Sequence, residues 1–184
     1  MITAAQIPAS REPASSFTVP PGLTAVAAIA AAAGALIKFD LSGRSFVAGL
    51  FCAVLVVLTA IDLERRIIPN RIVVPAGVVI LLGDIAAEPH RAKEWTIAAF
   101  ATGFGALAVS LASRGGVGMG DVKLAFLLGA GLGSHVLDGL VLAMLATFVV
   151  AVAILARRGL AARKETIPFG PFLALGAVLA LFLS

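Results

Sequence analysis

The amino-acid sequence predicts an all-α fold, a polytopic membrane bundle of about six to seven transmembrane helices. Of the 184 residues, 60% are hydrophobic and only 13% are charged, and the mean hydropathy is +1.08. In an ordinary soluble domain about 25% of the residues are charged. Because one span takes about 20 residues, such spans and short loops fill the chain. We therefore expect one membrane-embedded domain over residues 22–184, after a flexible N-terminal tail at residues 1–21.

The elements follow from the apolar runs. The tail is rich in proline and serine, and this composition buries too little apolar area to fold alone. The first run after it is alanine-rich, and we interpret it as a retained span because Glu12 and prolines replace the basic segment of a secretory signal. Whether the bundle has six or seven helices depends on this run. The candidate helices cover residues 22–37, 46–61, 72–87, 96–112, 122–132, 136–156 and 167–183.

The basic residues of the loops predict an orientation. If the loop at residues 62–71 is cytoplasmic, the alternation of spans places ten of the 14 Lys and Arg residues on the cytoplasmic side. Cytoplasmic loops of membrane proteins carry this excess. The pattern predicts a multi-pass membrane protein, in contact with lipid, whose basic loops face the cytoplasm. No basic run alternates with aromatic residues, so no nucleic-acid partner is expected.

The sequence offers little to bind a metal or another cofactor. Cys52 is the only cysteine and lies in an apolar run, which excludes an intrachain disulfide or a cysteine-based zinc site. His90 and His135 have no companions at ligand spacing. We therefore expect no metal and no cofactor.

Two aspartates fall on the predicted cytoplasmic side. Asp62 follows the second run and Asp121 precedes the fifth, whereas Asp40, Asp84 and Asp138 fall on the opposite side. Two carboxylates that converge at low dielectric share one proton, because both cannot ionise together. The ionised member can then activate a water while the protonated member protonates a carbonyl oxygen, as peptide hydrolysis requires.

The segment before the fifth run supports this hypothesis. Gly118 and Gly120 precede Asp121 and allow a sharp turn or a close approach of the backbone. The fifth run has only eleven residues, about 16 Å of helix against a bilayer core of roughly 30 Å. We expect Asp121 to lie below the membrane surface in a water-accessible cleft. The alternative is that Asp121 only caps a helix.

Neighbouring residues also have ordinary explanations when each is considered alone. Glu64 can be an interfacial acid balanced by the two arginines that follow it. Pro69 and Asn70 can stop one helix and cap the next. Lys123 can extend its ammonium group from a helix end towards water.

Three stretches together resemble the signature stretches of type IV prepilin peptidases, the GxGD group of membrane aspartyl proteases. They are residues 62–70 (DLERRIIPN), 118–124 (GMGDVKL) and 167–174 (IPFGPFLA). The resemblance implies that Asp62 and Asp121 are the catalytic acid/base pair, without a metal. It also implies substrate-binding or loop-positioning roles for a wider set: Gly118, Gly120, Lys123, Glu64, Pro69, Asn70, Pro168, Gly170 and Pro171.

The resemblance implies an aspartic-type endopeptidase that removes the short basic leader of type IV prepilins, pseudopilins or Flp-type prepilins at the cytoplasmic face. Glu64 would attract the basic leader. Larger members resemble bifunctional enzymes with an added methyltransferase part and paired CxxC motifs. Because residues 38–45 form only a short loop without cysteines, we expect a peptidase without methyltransferase activity, similar to the small enzymes of Flp or tight-adherence pili.

Two other functions stay open at this point. One is a membrane carrier in which Asp62 and Asp121 bind an ion, although the sequence has neither the inverted repeats nor the paired broken helices typical of carriers. The other is an intramembrane aspartyl protease with a substrate other than a pilin.

Overall fold

The computed structural model describes residues 20–38, 42–113, 118–158 and 169–183. These residues form seven α-helices and two short 3₁₀ helices, and they contain no strand, so the all-α prediction is confirmed. The predicted tail lies outside the described residues except at positions 20 and 21. The helices are α1 (Pro21–Lys38), α2 (Gly43–Arg65), α3 (Asn70–Ala87), α4 (Ala92–Ala112), α5 (Met119–Leu132), α6 (Val136–Arg158) and α7 (Gly170–Leu183).

Four helical segments of the described chain are long and apolar enough to cross a membrane. The last of them passes through α5, a 3₁₀ turn at residues 133–135 and α6. Two shorter apolar helices, Gly22–Lys38 and Gly170–Leu183, accompany them. The chain is a multi-pass helical membrane protein. The four segments are Gly43–Arg65, Asn70–Ala87, Pro89–Ala112 and Met119–Arg157.

A tight turn joins α2 to α3. Arg66 takes a left-handed conformation, with φ 53° and ψ 38°, and its N–H donates to the Asp62 carbonyl at 2.8 Å. Pro69 follows in an extended conformation, and it precedes the first residue of α3 because a proline has no N–H for a continuing helix. The turn therefore leaves Asp62 in the last turn of α2, beside the start of α3.

Helix α5 lies in the middle of the bundle. All its residues from 127 to 132 are buried. Two glycines let neighbouring helices approach: a β-carbon at Gly129 would collide with the backbone of Ala98 in α4, and one at Gly131 with the Phe51 ring in α2. Small residues permit such close helix packing in membranes. The short α5 is thus held between longer helices.

Helices α6 and α7 pack as an antiparallel pair. Gly176 of α7 lies against the Gly139 carbonyl and the Ala143 amide of α6, where a β-carbon would not fit. The sequence predicted a helix from residue 167, but α7 begins at Gly170. Residues 167 and 168 lie outside the described residues. Pro171 occupies the first turn of α7, where the missing N–H removes no intrahelical hydrogen bond.

Charged residues hold the end of the bundle where α2 begins and α3 ends. The Arg91 guanidinium contacts Glu88 at 3.1 Å and Glu94 at 2.7 Å, and Arg44 contacts Glu88 at 3.3 Å. Both guanidinium groups lie over the buried ring of Trp95, at 4.8 Å and 5.1 Å from its centroid. This network ties α2, α3 and α4 together.

Candidate active site

Asp62 lies in the last turn of α2, and its side chain is buried. The carboxylate lies against the backbone of Gly170 at the start of α7. A β-carbon at Gly170 would lie only 2.6 Å from the Asp62 Oδ2 atom. The absence of a side chain at this position is therefore what allows α7 to begin against Asp62.

Asp121 lies in the first turn of α5 and is half-buried. Gly118 is the N-cap residue, and its N–H donates to the Asp121 carboxylate. The Asp121 N–H in turn donates to the Gly118 carbonyl at 3.0 Å. Helix capping is therefore one part of what Asp121 does, but its side chain also lines a cavity described below.

The glycines before Asp121 permit close packing of the backbone, and their backbone angles are ordinary. Gly118 is extended, with φ −70° and ψ 148°, and Gly120 is helical. The sharp turn expected from these glycines is therefore not what the structure contains. A β-carbon at Gly120 would lie 3.0 Å from the Ile68 β-carbon, so this glycine lets α5 approach the turn between α2 and α3.

The Asp62 and Asp121 carboxylates are near enough to interact electrostatically. Both belong to the same end of the bundle, called here the aspartate end, where α2 ends and α3, α5 and α7 begin. Two packing contacts bring these helix ends together: Ile68 against Gly120, and Gly170 against Asp62. The three stretches of sequence that carry the resemblance thus meet at one place.

Lys123 links two of these helix ends. Its Nζ atom lies 2.6 Å from the Asn70 Oδ1 atom, and Asn70 is the first residue of α3. The ammonium group therefore ties α5 to α3. Pro69 is the N-cap residue of α3 and makes no side-chain cap hydrogen bond.

The remaining predicted site residues are Glu64, Pro171 and Pro168. Glu64 is exposed at the aspartate end, and because it follows Asp62 by two helical positions it projects about 200° around α2 from it. Pro171 is half-buried in the first turn of α7. Pro168 lies outside the described residues.

The Asp62 and Asp121 carboxylates differ in how accessible they are from outside the bundle. Asp62 lines a small interior gap with Leu124 and Gly170, and this gap has no room for a water molecule. Asp121 lines a cavity of about 810 Å³ that opens between α4 and α6. We call it the α4–α6 groove, and its lining includes Gly105 of α4 and Leu140 of α6. The open approach to the pair is therefore from the Asp121 side.

Sequence reasoning did not find this groove. Its α4 wall has small residues at helical spacing, among them Ala98, Ala101 and Gly105. That spacing was the available signal, but it also fits ordinary helix packing. Within the part of the chain that the structure describes, no cluster of three or more His, Cys, Asp or Glu residues has an arrangement that could hold a metal ion.

Comparison with known proteins places the chain in a family. The sequence model of the type IV leader peptidase family matches residues 49–156. A prepilin leader peptidase/N-methyltransferase of Burkholderia pseudomallei strain 1026b is 37% identical over 166 residues, which are 87% of this chain and 53% of that protein. Its counterpart in Bacillus subtilis strain 168 is 33% identical over 177 residues, which are 90% of this chain and 66% of that protein.

No solved structure is significantly similar to the chain. The chain spans about half the length of the Burkholderia relative. The family match covers more than half of the chain and contains both Asp62 and Asp121. The resemblance to this family is confirmed, and the chain belongs to the type IV leader peptidase family.

Proposed function

We propose that this protein is an aspartic-type endopeptidase that removes the short basic leader of type IV or Flp-type prepilins at the cytoplasmic face of a bacterial inner membrane. One observation carries the proposal: in a member of the leader peptidase family, Asp62 and Asp121 lie on helix ends that pack together at the aspartate end of the bundle. The names of the relatives supply the class of substrate.

In this proposal the two carboxylates hold one proton between them. The ionised member takes a proton from a water as the water oxygen attacks the scissile carbonyl carbon, and the protonated member gives its proton to the carbonyl oxygen. The tetrahedral diol then collapses. One diol proton returns to the ionised carboxyl, the other carboxyl protonates the amide nitrogen, and the C–N bond breaks. The pair ends with one proton, as it began, and no covalent intermediate forms.

The position of the pair suits a substrate that is half in water and half in lipid. Asp62 ends a membrane-spanning segment and Asp121 begins another. A prepilin leader lies in water, and the apolar helix after it lies in the bilayer, so the bond between them lies at the membrane boundary. Basic leader residues would meet the net negative charge of the pair and the exposed carboxylate of Glu64.

We also propose that the chain lacks the methyltransferase activity that appears in the names of its relatives. Two features support this. The chain has a single cysteine, and only residues 39–42 separate α1 from α2, so the paired CxxC motifs that the resemblance implies for larger family members have no counterpart there. Cleavage in the presence of S-adenosylmethionine tests the point, because a methylated product is heavier by one methyl group and an unmethylated product is not.

The decisive experiment is reconstitution. Purified protein in liposomes is mixed with a prepilin that carries a basic leader, and the product is identified by mass spectrometry. Cleavage should be lost in Asp62→Asn and in Asp121→Asn. Asp138→Asn is the matched control, because Asp138 is exposed on the first turn of α6 at the opposite end of the bundle. Its cleavage rate should equal that of the wild type.

Circular dichroism and thermal unfolding establish that the variants are folded. Cleavage by a folded Asp121→Asn protein contradicts the assigned pair. A folded wild-type protein that leaves the prepilin intact contradicts the peptidase assignment and favours a carrier or another substrate.

A further inference from the structure

The α4–α6 groove, a cavity of about 810 Å³, is a feature of the described structure that the catalytic pair does not account for. Its walls are α4 and α6, and α5 contributes Asp121 and Ala125 to its lining. The groove reaches from Asp121 to Glu94 and Ser134 at the opposite end of the bundle. Along α4, the distance from Glu94 to Val109 corresponds to about 22 Å of helix. The groove therefore runs through most of the membrane depth.

The two walls differ in the size of their side chains, and this difference suits the binding of a helix. The α4 wall projects little into the groove, because Ala101 has a small side chain and Gly105 has none. A β-carbon at Gly105 would meet nothing within 4 Å. The α6 wall carries the long apolar side chains of Leu137, Leu140 and Met144. Small residues on one side let a helix backbone come close in a membrane, and long apolar residues pack against its side chains.

The two ends of the groove differ, and this difference defines the direction in which a bound helix would run. At the opposite end the Ser134 N–H donates to the Glu94 carboxylate at 3.1 Å, and this contact joins α4 to the turn before α6. At the aspartate end the groove reaches Asp121 itself. Among the described residues, the gap beside Asp62 has no room for water, whereas the groove is open and reaches Asp121, so the groove is the approach that these residues offer to a peptide bond.

We propose that the α4–α6 groove binds the apolar transmembrane helix of the substrate, with the N-terminal end of that helix at Asp121 and its C-terminal end towards Glu94. The identity of the substrate rests on the proposed function. The continuity of the groove with Asp121 favours a substrate helix over lipid alone, since the chain after the scissile bond must leave the pair along this groove. Helix docking then holds the bond at the two carboxylates.

Filling the groove tests the proposal. Gly105→Phe places a ring in open space, and Gly22→Phe is the matched control because a β-carbon at this α1 glycine also meets nothing within 4 Å. Each variant is assayed on a full prepilin and on a soluble peptide with the same leader and cleavage site but no apolar helix. Gly105→Phe should lower kcat/KM for the full prepilin by roughly tenfold to a hundredfold, and should lower it much less for the soluble peptide, which has no apolar helix to dock. Gly22→Phe should change neither.

Cross-linking tests docking without cleavage. The protein carries Ala101→Cys together with Cys52→Ser, which removes the native cysteine, and Asp121→Asn, which prevents cleavage. It is mixed with a prepilin that has one cysteine in its apolar helix, and copper phenanthroline is added to oxidise the two thiols. A disulfide-linked complex is expected, and the same experiment with Gly22→Cys should give none.

The outcomes separate the two proposals. A cross-link at position 101 supports docking even if the wild type cleaves no prepilin, in which case only the proposed function fails. If the wild type cleaves prepilin while Gly105→Phe cleaves it equally well and position 101 forms no cross-link, the groove holds only lipid and the docking proposal is wrong.

Discussion

Gly170 packs directly against the carboxylate of Asp62, so the first turn of α7 lies over the last turn of α2. The resemblance implies only a substrate-binding or loop-positioning role for this glycine. The contact gives it a more direct role, because backbone that packs this closely against a carboxylate restricts the direction in which the group points.

Gly170→Ala should strongly reduce cleavage. The new β-carbon would lie 2.6 Å from the Asp62 Oδ2 atom, so either α7 or the carboxylate must move. A displacement of about 1 Å at a catalytic group can lower kcat by roughly a hundredfold. The measurement is the rate of prepilin cleavage in liposomes.

Gly43→Ala is the matched control for this change. Gly43 is the first residue of α2, as Gly170 is of α7, but its β-carbon would meet only the Ala87 side chain at an ordinary 3.7 Å. The control should cleave at the wild-type rate. Equal rates for Gly170→Ala and Gly43→Ala would show that the contact with Asp62 has no catalytic importance.

The two glycines before Asp121 should differ in their tolerance of alanine. A β-carbon at Gly120 would lie 3.0 Å from the Ile68 β-carbon, whereas one at Gly118 would lie 3.6 Å from the Asp121 Oδ2 atom. The first distance requires α5 to shift, and the second is an ordinary contact. Gly120→Ala should therefore lose more activity than Gly118→Ala, as measured by kcat. The reverse order would contradict this account of the GxGD stretch.

Apolar runs located all seven helices, but they misjudged several ends. The runs predicted that α2 ends at residue 61 and that α5 begins at residue 122, whereas α2 continues to Arg65 and α5 begins at Met119. Hydrophobicity marks the part of a helix that lies in lipid, and a helix continues past it into polar residues. This difference matters, because Asp62 and Asp121 both lie inside helices and not in loops.

The site was predictable only in part. The positions of Asp62 and Asp121 at one end followed from span alternation, and the GxGD stretch identified the second. The contact between Gly170 and Asp62 depends on how α7 packs against α2, and the α4–α6 groove depends on the separation of two helices. Neither distance is encoded in local hydrophobicity, so no reading of the sequence alone could supply them.

The hydrogen bond between Lys123 and Asn70 should position Asp121 without touching the substrate. Lys123→Met and Asn70→Ala each remove the 2.6 Å contact, so each should lower kcat by roughly tenfold and leave KM nearly unchanged. Because the contact is exposed, the loss of unfolding free energy should be only about 1 kcal/mol. The double variant should be no worse than either single one, since both remove the same interaction.

Lys93→Met is the control for loss of a lysine charge, because Lys93 is exposed at the opposite end of the bundle. It should retain wild-type kinetics. Additive effects of Lys123→Met and Asn70→Ala in the double variant would mean that the two residues act independently.

Arg91→Ala should destabilise the protein more than it affects catalysis. Arg91 contacts both Glu88 and Glu94 and lies over the Trp95 ring. Its removal leaves two carboxylates without this partner, which should lower the free energy of unfolding by about 1–3 kcal/mol. Thermal unfolding in detergent measures the effect. A variant with unchanged stability and lost cleavage would instead place Arg91 in the active site.

Asp121 and Asp62 should differ in their accessibility to water-soluble thiol reagents. Asp121 is half-buried and lines the α4–α6 groove, whereas Asp62 is only 7% exposed and lines a gap without room for water. Cysteines placed at these positions in a Cys52→Ser background should therefore react at different rates, with Asp121→Cys the faster. Cys52 itself is fully buried and should stay unlabelled in the wild type. Gly22→Cys supplies the rate of an exposed helical position, and Asp121→Cys should be slower than it. If Asp62→Cys reacts as fast as Asp121→Cys, water enters from the α7 side and the groove is not the route to the pair.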